Sequence, residues 1–252
     1  MSALLEPARL LSTSLVPYAV RLARTPQEIR AAQALRYAVF NVELQEGLES
    51  SHATGLDADL FDEVCDHLLV EHRETGAVVG TYRLQSGSVA GVHRGYYSEQ
   101  EFDFQPLEPL RDELIELGRA CVHPQHRNLI VLGLLWKGIA GYARERGARY
   151  LCGCSSLTSQ DPAAGASAYS ELCRKYLAPV PWRTRPLPAF ECPLAELAAE
   201  APKIPKLLRA YLALGARICG PPALDRQFKT IDFLTLLDLE ALPALVKERL
   251  FS

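Results

Sequence analysis

The chain has 252 residues, 48% of which are hydrophobic, and a formal net charge of −3 at pH 7. This size allows one or two domains with a full hydrophobic core, and the nearly balanced charge gives no indication of a nucleic-acid partner. No run approaches the roughly 20 apolar residues that a membrane span needs. The segment 1–24 lacks the apolar core of a signal peptide, and the seven cysteines are irregularly spaced. Both features favour a reducing cytoplasm.

The first predicted elements are a strand and a helix within residues 18–40. Thr25 suits the N-cap, Pro26 the first helical position, and Glu28 the position from which a side chain completes a capping box. Apolar residues then recur at helical spacing as far as Val39. The segment therefore predicts a strand, a cap and then a helix with apolar residues at helical spacing.

The middle of the chain predicts four strands and a long helix. Two strands joined around Gly76 form a hairpin within residues 66–87. Residues 112–122 form the next strand, and residues 129–147 form a helix that closes on its final glycine. A further strand is predicted at residues 148–156.

The C-terminal part alternates helical and irregular segments. A helix is predicted at residues 161–177, whereas the seven prolines of residues 178–205 preclude a continuous helix and indicate a covering loop or a linker. An amphipathic helix at 206–220, a closing strand at 228–239 and a short helix at 242–251 complete the chain. This order predicts an α/β fold, with a mixed (α+β) sheet and helices on both faces, in one domain.

The junction between the strand 112–122 and the following helix is a candidate anion site. The strand ends before Pro124, and the helix starts near Asn128. The first backbone N–H groups of a helix have no partner within it, so they can bind a phosphate, and Arg127 could meet the same anion. The alternative is an ordinary connection with a solvent-exposed arginine.

Charged residues inside apolar strands form a second candidate. Glu116 lies in a stretch suited to burial, where a charge is costly unless it is paired, and Arg83 is the expected partner. Because side chains alternate along a strand, Glu116 and Arg119 are predicted to face opposite sides of the sheet. An acidic run at residues 57–66 precedes the hairpin. The alternatives are an ion-pair network that fixes strand register and a solvated acidic loop.

Several separated motifs resemble those of a known family. In order they are LRYAVF, DLFDEVCDHLLV, GTYRL, ELGRACVHPQHR, LLWKGIAGY, CGCSS with a later DP, and GARICGPPALDRQFKTIDFLTLLD. Together they resemble the bacterial ornithine lipid N-acyltransferases. The resemblance implies a GNAT-like N-acyltransferase fold in a single domain, 1–252, with residues 18–177 as the acyl-donor-binding core and residues 178–252 as a C-terminal extension. It also implies transfer of a long 3-hydroxyacyl chain from acyl carrier protein to the α-amine of ornithine.

A second set of residues resembles the acyl-homoserine lactone synthases. Those enzymes share an arginine and an aromatic residue on the first helix, two acids three apart, a strand arginine and a Glu-x-x-Arg sequence. The matching residues here are Arg36 with Phe40, Asp59 with Asp62, Arg83, and Glu116 with Arg119. The resemblance implies that these residues form the substrate-binding site.

The predicted acyl donor follows from a departure from the GNAT pattern. Enzymes of that fold that use acetyl-CoA usually carry Arg-x-x-Gly-x-Gly/Ala at the start of the helix, and the stretch from Arg127 to Gly133 lacks the first glycine. We therefore expect the acyl-phosphopantetheine of acyl carrier protein as the donor, rather than acyl-CoA. The residues expected to bind this donor are His123, Arg127, Asn128, Leu129 and Lys137.

Acyl carrier proteins are acidic, so basic residues on the predicted helix at 129–147 are expected to form the face on which the carrier protein docks. Lys137, Arg144, Arg146 and Arg149 lie on or just after it. A solvated helix face is the alternative explanation for these four residues.

The implied chemistry is aminolysis of a thioester. Glu116 is the predicted base, directly or through a water, and a backbone N–H of Cys121 or Val122 is the predicted donor to the oxyanion, as the GNAT fold implies. Arg83 or Arg119 could bind the amino acid carboxylate.

Three acids, Asp59, Asp62 and Asp66, are the candidates for binding the side-chain ammonium of the acceptor, or for ordering the loop instead. No bound cofactor and no metal are expected, because His123 and His126 lack further ligands nearby. Cysteines at positions 121, 152 and 154 are either nucleophiles or, as we favour, small buried hydrophobes.

Three alternative functions stay open at this point. The acceptor could be glycine or an aromatic amino acid, or the chain could be an autoinducer synthase of the acyl-homoserine lactone type. A non-enzymatic alternative is a regulatory domain that binds acyl carrier protein or lipid. The amphipathic helix within residues 203–218 could lie on a membrane surface or pack on the sheet. We expect a cytoplasmic protein, with peripheral contact to the inner membrane as a further expectation.

Overall fold

The computed structural model describes residues 16–200 and 202–251. The expectation of no signal peptide falls mostly on residues 1–15, outside the described residues. One sheet contains eight strands: β1 (Tyr18–Leu22), β2 (Asp66–His72), β3 (Val78–Ser86), β4 (Leu114–Val122), β5 (Tyr150–Leu157), β6 (Arg217–Ile218), β7 (Ala223–Asp225) and β8 (Thr230–Asp238). Their order is β1-β2-β3-β4-β5-β8-β6, with β7 also paired to β8. Only the β4–β5 pair is parallel.

Helices cover both faces of this sheet. They are α1 (Pro26–Tyr37), α2 (Ser51–Thr54), α3 (Gly87–Val92), α4 (Leu129–Glu145), α5 (Pro162–Tyr176), α6 (Lys206–Ala213) and α7 (Ala244–Phe251). On β3, Leu84 packs in the same core as Leu135 of α4, whereas the neighbouring Arg83 reaches towards the end of α1. Alternate residues of one strand thus serve the two layers. The predicted α/β fold with helices on both faces is confirmed.

The start of α1 follows the predicted capping box. The Thr25 hydroxyl accepts a hydrogen bond from the N–H of Glu28 (3.3 Å), and the Glu28 carboxylate accepts one from the N–H of Thr25 (3.2 Å). Pro26 occupies the first turn, where its missing N–H costs nothing. The helix then continues into a π-helical segment, Ala38–Glu43. The reciprocal cap fixes where the helix begins and so places Arg36 at its end.

A β-bulge interrupts the pairing of β3 with β4. Arg83 lies opposite Gly118 and Thr81 opposite Cys121, so Tyr82 faces two residues, Arg119 and Ala120. Arg119 has φ +51°, in the left-handed region that non-glycine residues rarely adopt. The extra residue turns the Arg119 side chain onto the α1 face, where Glu116 also points. The prediction that these two side chains face opposite sides of the sheet is therefore wrong.

The parallel pair β4–β5 is short. It includes only the pairs Leu114 with Tyr150, Ile115 with Leu151, and Glu116 with Cys152, and the two strands diverge beyond them. At this point a Cβ on Gly153 would overlap the carbonyl oxygen of Leu117. The glycine thus allows the backbones to approach before they separate.

The C-terminal helix is shorter than the sequence predicted. α6 ends at Ala213, and Gly215 with φ +103° turns the chain into the two-residue strand β6, so only the first eight residues of the expected helix at 206–220 are helical. Its apolar residues Leu208 and Leu212 are buried against β8 and α5. The apolar face that could have met a membrane is therefore used inside the fold.

The proline-rich segment covers the sheet as a loop. It contains two short 3₁₀ turns, Val180–Trp182 and Pro188–Phe190. Trp182 and Phe190 pack on a core formed by β5, β8 and residues 90–114. Among residues 16–200 and 202–251, no helix is long and apolar enough to cross a bilayer.

Candidate active site

The divergence of β4 from β5 opens a narrow cleft, which we call the strand cleft. It spans about 450 Å³ with the open solvent at its mouth included, and about 50 Å³ of this is accessible to the centre of a water-sized molecule. Its lining comes from residues 117–120 of β4, residues 151–155 of β5, Trp136 of α4, Leu207 and Tyr211 of α6, and Ala216, Thr235 and Leu237. The Tyr211 hydroxyl lies 2.5 Å from that of Tyr82 on β3, which fixes α6 beside the cleft. Because the lining is largely apolar, the strand cleft suits an alkyl or pantetheine chain.

A second, wider cleft lies among the loops, and we call it the loop cleft. It contains about 730 Å³ of space and is lined by Leu48, Asp59, Leu60, Phe61, Arg94, Tyr97, Gln100, Arg119 and Gln227. Arg119 lines both clefts. The bulge therefore places this guanidinium where the two clefts meet.

Arg36 is the centre of a buried ion-pair network at one wall. The side chain is fully buried at the end of α1. It donates to Asp57 over 2.7 Å and to both carboxylate oxygens of Asp62 over 2.9 and 2.7 Å. Gln33 adds a hydrogen bond to Asp62 over 3.0 Å. Arg36 thus orders the acidic loop against the first helix.

Arg83 and Arg119 extend the network towards the loop cleft. Arg83 lies 2.6 Å from Asp59 and 3.2 Å from Asp62, and Arg119 lies 3.0 Å from Asp59. Burial alone would raise the pKa of Asp62, but the hydrogen bond and charge of Arg36 outweigh it and hold that pKa well below its ordinary value. Since three arginines face three aspartates, the network is neutral as a whole.

Aromatic rings enclose the two strand arginines. The Arg119 guanidinium lies 4.6 Å from the centroid of the Tyr97 ring and 4.4 Å from that of Phe228. Arg83 lies 5.4 Å from the Phe61 and Tyr97 centroids. Phe40 packs edge-on against Phe228, with 5.4 Å between the ring centroids. It therefore supports the ring that covers Arg119 and does not cover Arg119 itself. Cation–π contacts of this kind hold the guanidinium planes in place.

The three acids expected to bind an ammonium group all have cationic partners within the protein. Asp59 and Asp62 are already paired with arginines. Asp66 points to the α4 face, where it accepts from Tyr142 over 2.8 Å and from Arg146 over 2.9 Å. Each carboxylate thus already has a cationic partner, and the ammonium-binding role stays a prediction. The alternative role, in which the acids order the loop, agrees with the contacts of Asp59 and Asp62.

The sequence predicted that Glu116 would be buried and paired with Arg83. Glu116 is buried, but its carboxylate has other partners. Its carboxylate accepts from the N–H of Tyr97 (2.7 Å), the N–H of Ser98 (2.8 Å) and the Ser98 hydroxyl (2.5 Å). Burial nevertheless raises the pKa of Glu116 above its ordinary value. Glu116 lines neither cleft. The geometry therefore favours positioning of the Tyr97 segment over direct proton transfer.

The strand register distinguishes the two predicted oxyanion donors. The N–H of His123 donates to the Val79 carbonyl of β3 over 2.8 Å. Hydrogen-bonded pairs alternate in an antiparallel ladder, so Cys121, opposite Thr81, also directs its N–H to β3. Val122 lies between them and directs its N–H the other way, towards the side from which β5 has diverged. Val122 is therefore the better placed of the two.

The first turn of α4 is not the bare helix end that the sequence suggested. The Asn128 side chain accepts from the N–H groups of Ile130 and Val131, each over 3.0 Å. Arg127 forms two hydrogen bonds of 2.6 Å with the Glu43 carboxylate. The predicted phosphate cradle is thus capped by its own side chain.

The other residues predicted to bind the donor lie around the same turn. The His123 ring accepts from the N–H of Gln125, Leu129 is 85% exposed, and Lys137 is exposed on α4. Two of the predicted docking cations have acidic neighbours, Arg146 with Asp66 and Arg149 with Asp238. The α4 face is therefore less basic than a count of its arginines suggests.

Cys121 and Cys152 are buried, as favoured from the sequence, whereas Cys154 is half-buried. Burial raises the pKa of Cys121 to about 12 and the pKa values of Cys152 and Cys154 well above the ordinary range. A thiol that stays protonated is a poor nucleophile. The site is therefore suited to direct transfer rather than to an acyl-enzyme.

Sequence reasoning missed a group of buried acids behind the strand cleft. Glu46, Glu101, Asp225 and Asp232 are each at least nine-tenths buried. The signal was present in the motif TIDFLTLL, where Asp232 interrupts an apolar strand. Among the described residues, Glu101, Cys154 and Asp232 are also the one group whose ligand atoms lie close enough together to hold a metal ion. The expectation of no metal stays a prediction.

Comparison with protein families and curated proteins agrees with this geometry. Residues 35–137 match the family described as acetyltransferase (GNAT) domain. The L-ornithine N(alpha)-acyltransferase of Rhodobacter capsulatus is 37% identical over 238 residues, which are 89% of this chain and 91% of that protein. The enzyme of the same name from Brucella abortus is 37% identical over 88% of this chain and 84% of its own length.

Solved structures of low sequence identity share the fold. The N-acyl amino acid synthase FeeM from uncultured soil microbes aligns with a TM-score of 0.53 at 15% identity, over 92% of this chain and 97% of that one. The acyl-homoserine lactone synthase LasI aligns with a TM-score of 0.51 at 13% identity, over 88% and 90% of the two chains. These likenesses concern the architecture of the sheet and its helices.

Proposed function

Because this chain belongs to the family of the L-ornithine N(alpha)-acyltransferases, as its motifs predicted, we propose that it transfers an acyl chain to the α-amine of ornithine. The observation that carries this proposal is the meeting of two clefts at Arg119. The apolar strand cleft suits the acyl donor, and the loop cleft, which contains charged side chains, suits a free amino acid. A reaction between the two substrates would then occur beside the β4 bulge.

The proposed chemistry is direct aminolysis. The α-amine attacks the thioester carbonyl, a C–N bond forms, the C–S bond breaks, and the amine proton leaves with the pantetheine thiol. The N–H of Val122 would donate to the developing oxyanion, and one such donor typically contributes about 2.7–4 kcal/mol. Arg119 would bind the carboxylate of the acceptor, since this residue lines both clefts.

The proposed donor is the acyl-phosphopantetheine of acyl carrier protein rather than acyl-CoA. Asn128 occupies two of the helix amides that a CoA pyrophosphate would need. Around Arg127, the apolar side chains of Val42, Leu129 and Ile130 are 62%, 85% and 49% exposed. Exposed apolar groups beside a cation suit docking of an acidic protein more than binding of a nucleotide.

The test is acyl transfer by the purified chain, with 3-hydroxyacyl chains presented on acyl carrier protein or on CoA. Ornithine, glycine and tyrosine are offered as acceptors, and the products are identified by mass spectrometry. We expect N-acyl-ornithine to form from the carrier protein at a kcat/KM at least tenfold higher than from CoA. Arg127→Ala should raise the KM for the acylated carrier protein several-fold, with a smaller effect at high salt.

A surface variant, Glu108→Gln, serves as the control, because the ion pair and hydrogen bonds of that side chain within the described residues are all to Arg111. Acylation of glycine or tyrosine in preference to ornithine would reject the proposed acceptor. A higher kcat/KM with CoA would reject the proposed donor. A folded protein that binds the carrier protein without any transfer would leave the regulatory alternative instead.

A further inference from the structure

Two buried acids, Glu101 and Asp232, form a pair without a cationic partner. Their side chains are 1% and 3% exposed, and neither forms an ion pair with any residue in 16–200 or 202–251. Asp232 is opposite Ser156 in the β5–β8 ladder, and Glu101 lies in the loop that covers this part of the sheet. In this respect the pair differs from Asp57, Asp59 and Asp62, which all face arginines.

Two oxygen atoms of this pair lack a hydrogen-bond donor among the described residues. Glu101 Oε1 and Asp232 Oδ1 are buried, and neither accepts a hydrogen bond from the described residues. The other Glu101 oxygen meets the Cys154 thiol at 3.6 Å, and Asp232 Oδ2 accepts from Thr230 over 3.2 Å. Two further acids, Glu46 and Asp225, are buried nearby and influence Asp232 through their charge. Unsatisfied buried oxygens on an acid pair indicate a site that needs a cation or a proton.

From this arrangement we infer that Glu101 and Asp232 bind the side-chain ammonium of the acceptor amino acid. The inference rests on the proposed function for the identity of the substrate, and it names the residues that would make ornithine the preferred acceptor. An ammonium group donates three hydrogen bonds, and acceptors about 2.8 Å from one nitrogen at tetrahedral angles lie about 4.6 Å apart. The ligand atoms of Glu101, Asp232 and Cys154 all lie within 4.8 Å of one another, close enough to share one cation, although Cys154 Sγ and Glu101 Oε2, at 3.6 Å, are nearer than this ideal spacing.

The position of the pair agrees with this role. Cys154 and Arg119 both line the strand cleft, and Cys154 contacts Glu101, so the acids lie one side chain behind the cleft wall. An acceptor with its carboxylate at Arg119 could extend its side chain towards them. In the free protein, a proton held by the pair relieves the repulsion between the two carboxyl groups, and the ammonium would replace that proton. Both pKa values are raised, first by burial and then by neighbouring carboxylates.

The test is a binding measurement without any acyl donor. Calorimetry compares ornithine with 2-aminopentanoate, which has the same carbon chain without the terminal amine. We expect the wild-type protein to bind ornithine at least tenfold more tightly. Glu101→Gln and Asp232→Asn should each weaken ornithine binding to the level of 2-aminopentanoate and leave the latter unchanged. Glu108→Gln should behave as the wild type.

Three results would overturn the inference. Unchanged ornithine affinity in both variants would remove the role, and equal weakening for both amino acids would show a general base or a structural group. Stabilisation of the wild type by Mg²⁺ or Zn²⁺ alone, lost in Glu101→Gln while ornithine affinity is retained, would show a metal site. A fall of the unfolding temperature by more than about 10 °C in both variants without ligand would show that the pair holds the fold together.

The transfer assay separates this inference from the proposed function. If Glu101→Gln acylates ornithine with the wild-type KM, the function stands and the ammonium site falls. The opposite result is also possible. If the wild type acylates neither amino acid, but binds ornithine more tightly than 2-aminopentanoate and both variants lose this binding preference, the proposed function falls and the cation site stands.

Discussion

The backbone N–H of Tyr97 donates to the Glu116 carboxylate over 2.7 Å, and the Tyr97 ring stacks on Arg119. Glu116, which precedes the β4 bulge, therefore holds Tyr97 in place, and the Tyr97 ring in turn covers Arg119 in the bulge. This link explains why an acid is buried in the middle of a strand without an ion pair. Three hydrogen-bond donors from a loop stabilise the charge instead, and the loop is positioned in return.

Replacement of Glu116 by Ala is expected to lower kcat/KM by about 10²-fold, because misplacement of Tyr97 and Arg119 by as little as 1 Å can cost that much. The pH dependence of kcat/KM should keep its shape if Glu116 is a positioning residue. Loss of the acidic limb in Glu116→Gln would assign it the role of base. Glu113→Gln, at an exposed position just before β4, is the matched control.

Substitution of Asp62 by Asn should destabilise the fold. The change leaves Arg36 and Arg83 buried with fewer acidic partners, and breaking a buried pair typically costs about 3–5 kcal/mol. Chemical denaturation would measure the loss in the free energy of unfolding. Asp66→Asn, which removes a half-exposed pair with Arg146, should cost less than about 1 kcal/mol. A change in the ornithine-to-glycine KM ratio in Asp62→Asn would instead support the ammonium-binding role predicted from the sequence.

Gly153→Ala tests the approach of β5 to β4. The added Cβ would overlap the Leu117 carbonyl, so the strands must separate earlier. We expect a loss of stability of about 1–3 kcal/mol and a higher KM for the acyl donor. Gly141→Ala in α4 meets no atom and should stabilise the protein by roughly 0.5–1 kcal/mol. Equal KM values for the acyl donor in wild type and Gly153→Ala would show that the donor does not bind in the strand cleft.

Stability should fall as the pH rises through the titration of the acid pair. Burial raises the pKa of Asp232 to about 6, and the pair faces Glu46, Asp225, Cys154 and, at longer range, Arg119. The folded state then retains protons that the unfolded chain has lost above about pH 4, so the free energy of unfolding decreases by about 2–3 kcal/mol towards pH 7.

Thermal unfolding between pH 4 and pH 8 measures this effect, with urea unfolding as a second probe. Asp232→Asn should lack most of the decrease, and saturating ornithine should suppress it in the wild type. A wild-type protein whose stability rises over this range would show that the pair does not hold a proton when folded.

Local sequence signals predicted most of the fold. The capping box at Thr25, the hairpin at Gly76 and the long helix before Gly147 depend on residues close in sequence, and each lies where it was expected. The end of α6 was missed because a glycine with positive φ and a two-residue strand compete with helical spacing. Pairing of β6 with a strand some 20 residues later carries no local signal.

The site was harder to predict, because its geometry depends on register and on long-range partners. Alternation gave the wrong face for Arg119, since a one-residue bulge reverses the pattern and nothing local marks it. The acids at 57–66 were recognised as a group, but their partners, Arg36 and Arg83, come from other elements. Asp232 was overlooked because its role depends on Glu101. That residue is distant in sequence, and only the folded structure brings the two carboxyl groups together.

The short parallel pairing of β4 with β5, which has only three residue pairs and which we call the seam, also has a consequence for the order of folding. Strands β1–β4 and strands β5–β8 are two contiguous stretches of chain, and within each stretch every neighbouring pair is antiparallel. Their hydrogen bonds can form separately, whereas the seam requires contacts between distant parts of the chain, which close slowly. The strand cleft and the acid pair exist only once β8 is in place. A nascent chain whose synthesis has not reached β8 would therefore have neither a complete donor site nor a complete acceptor site, so activity arises at the last stage of folding.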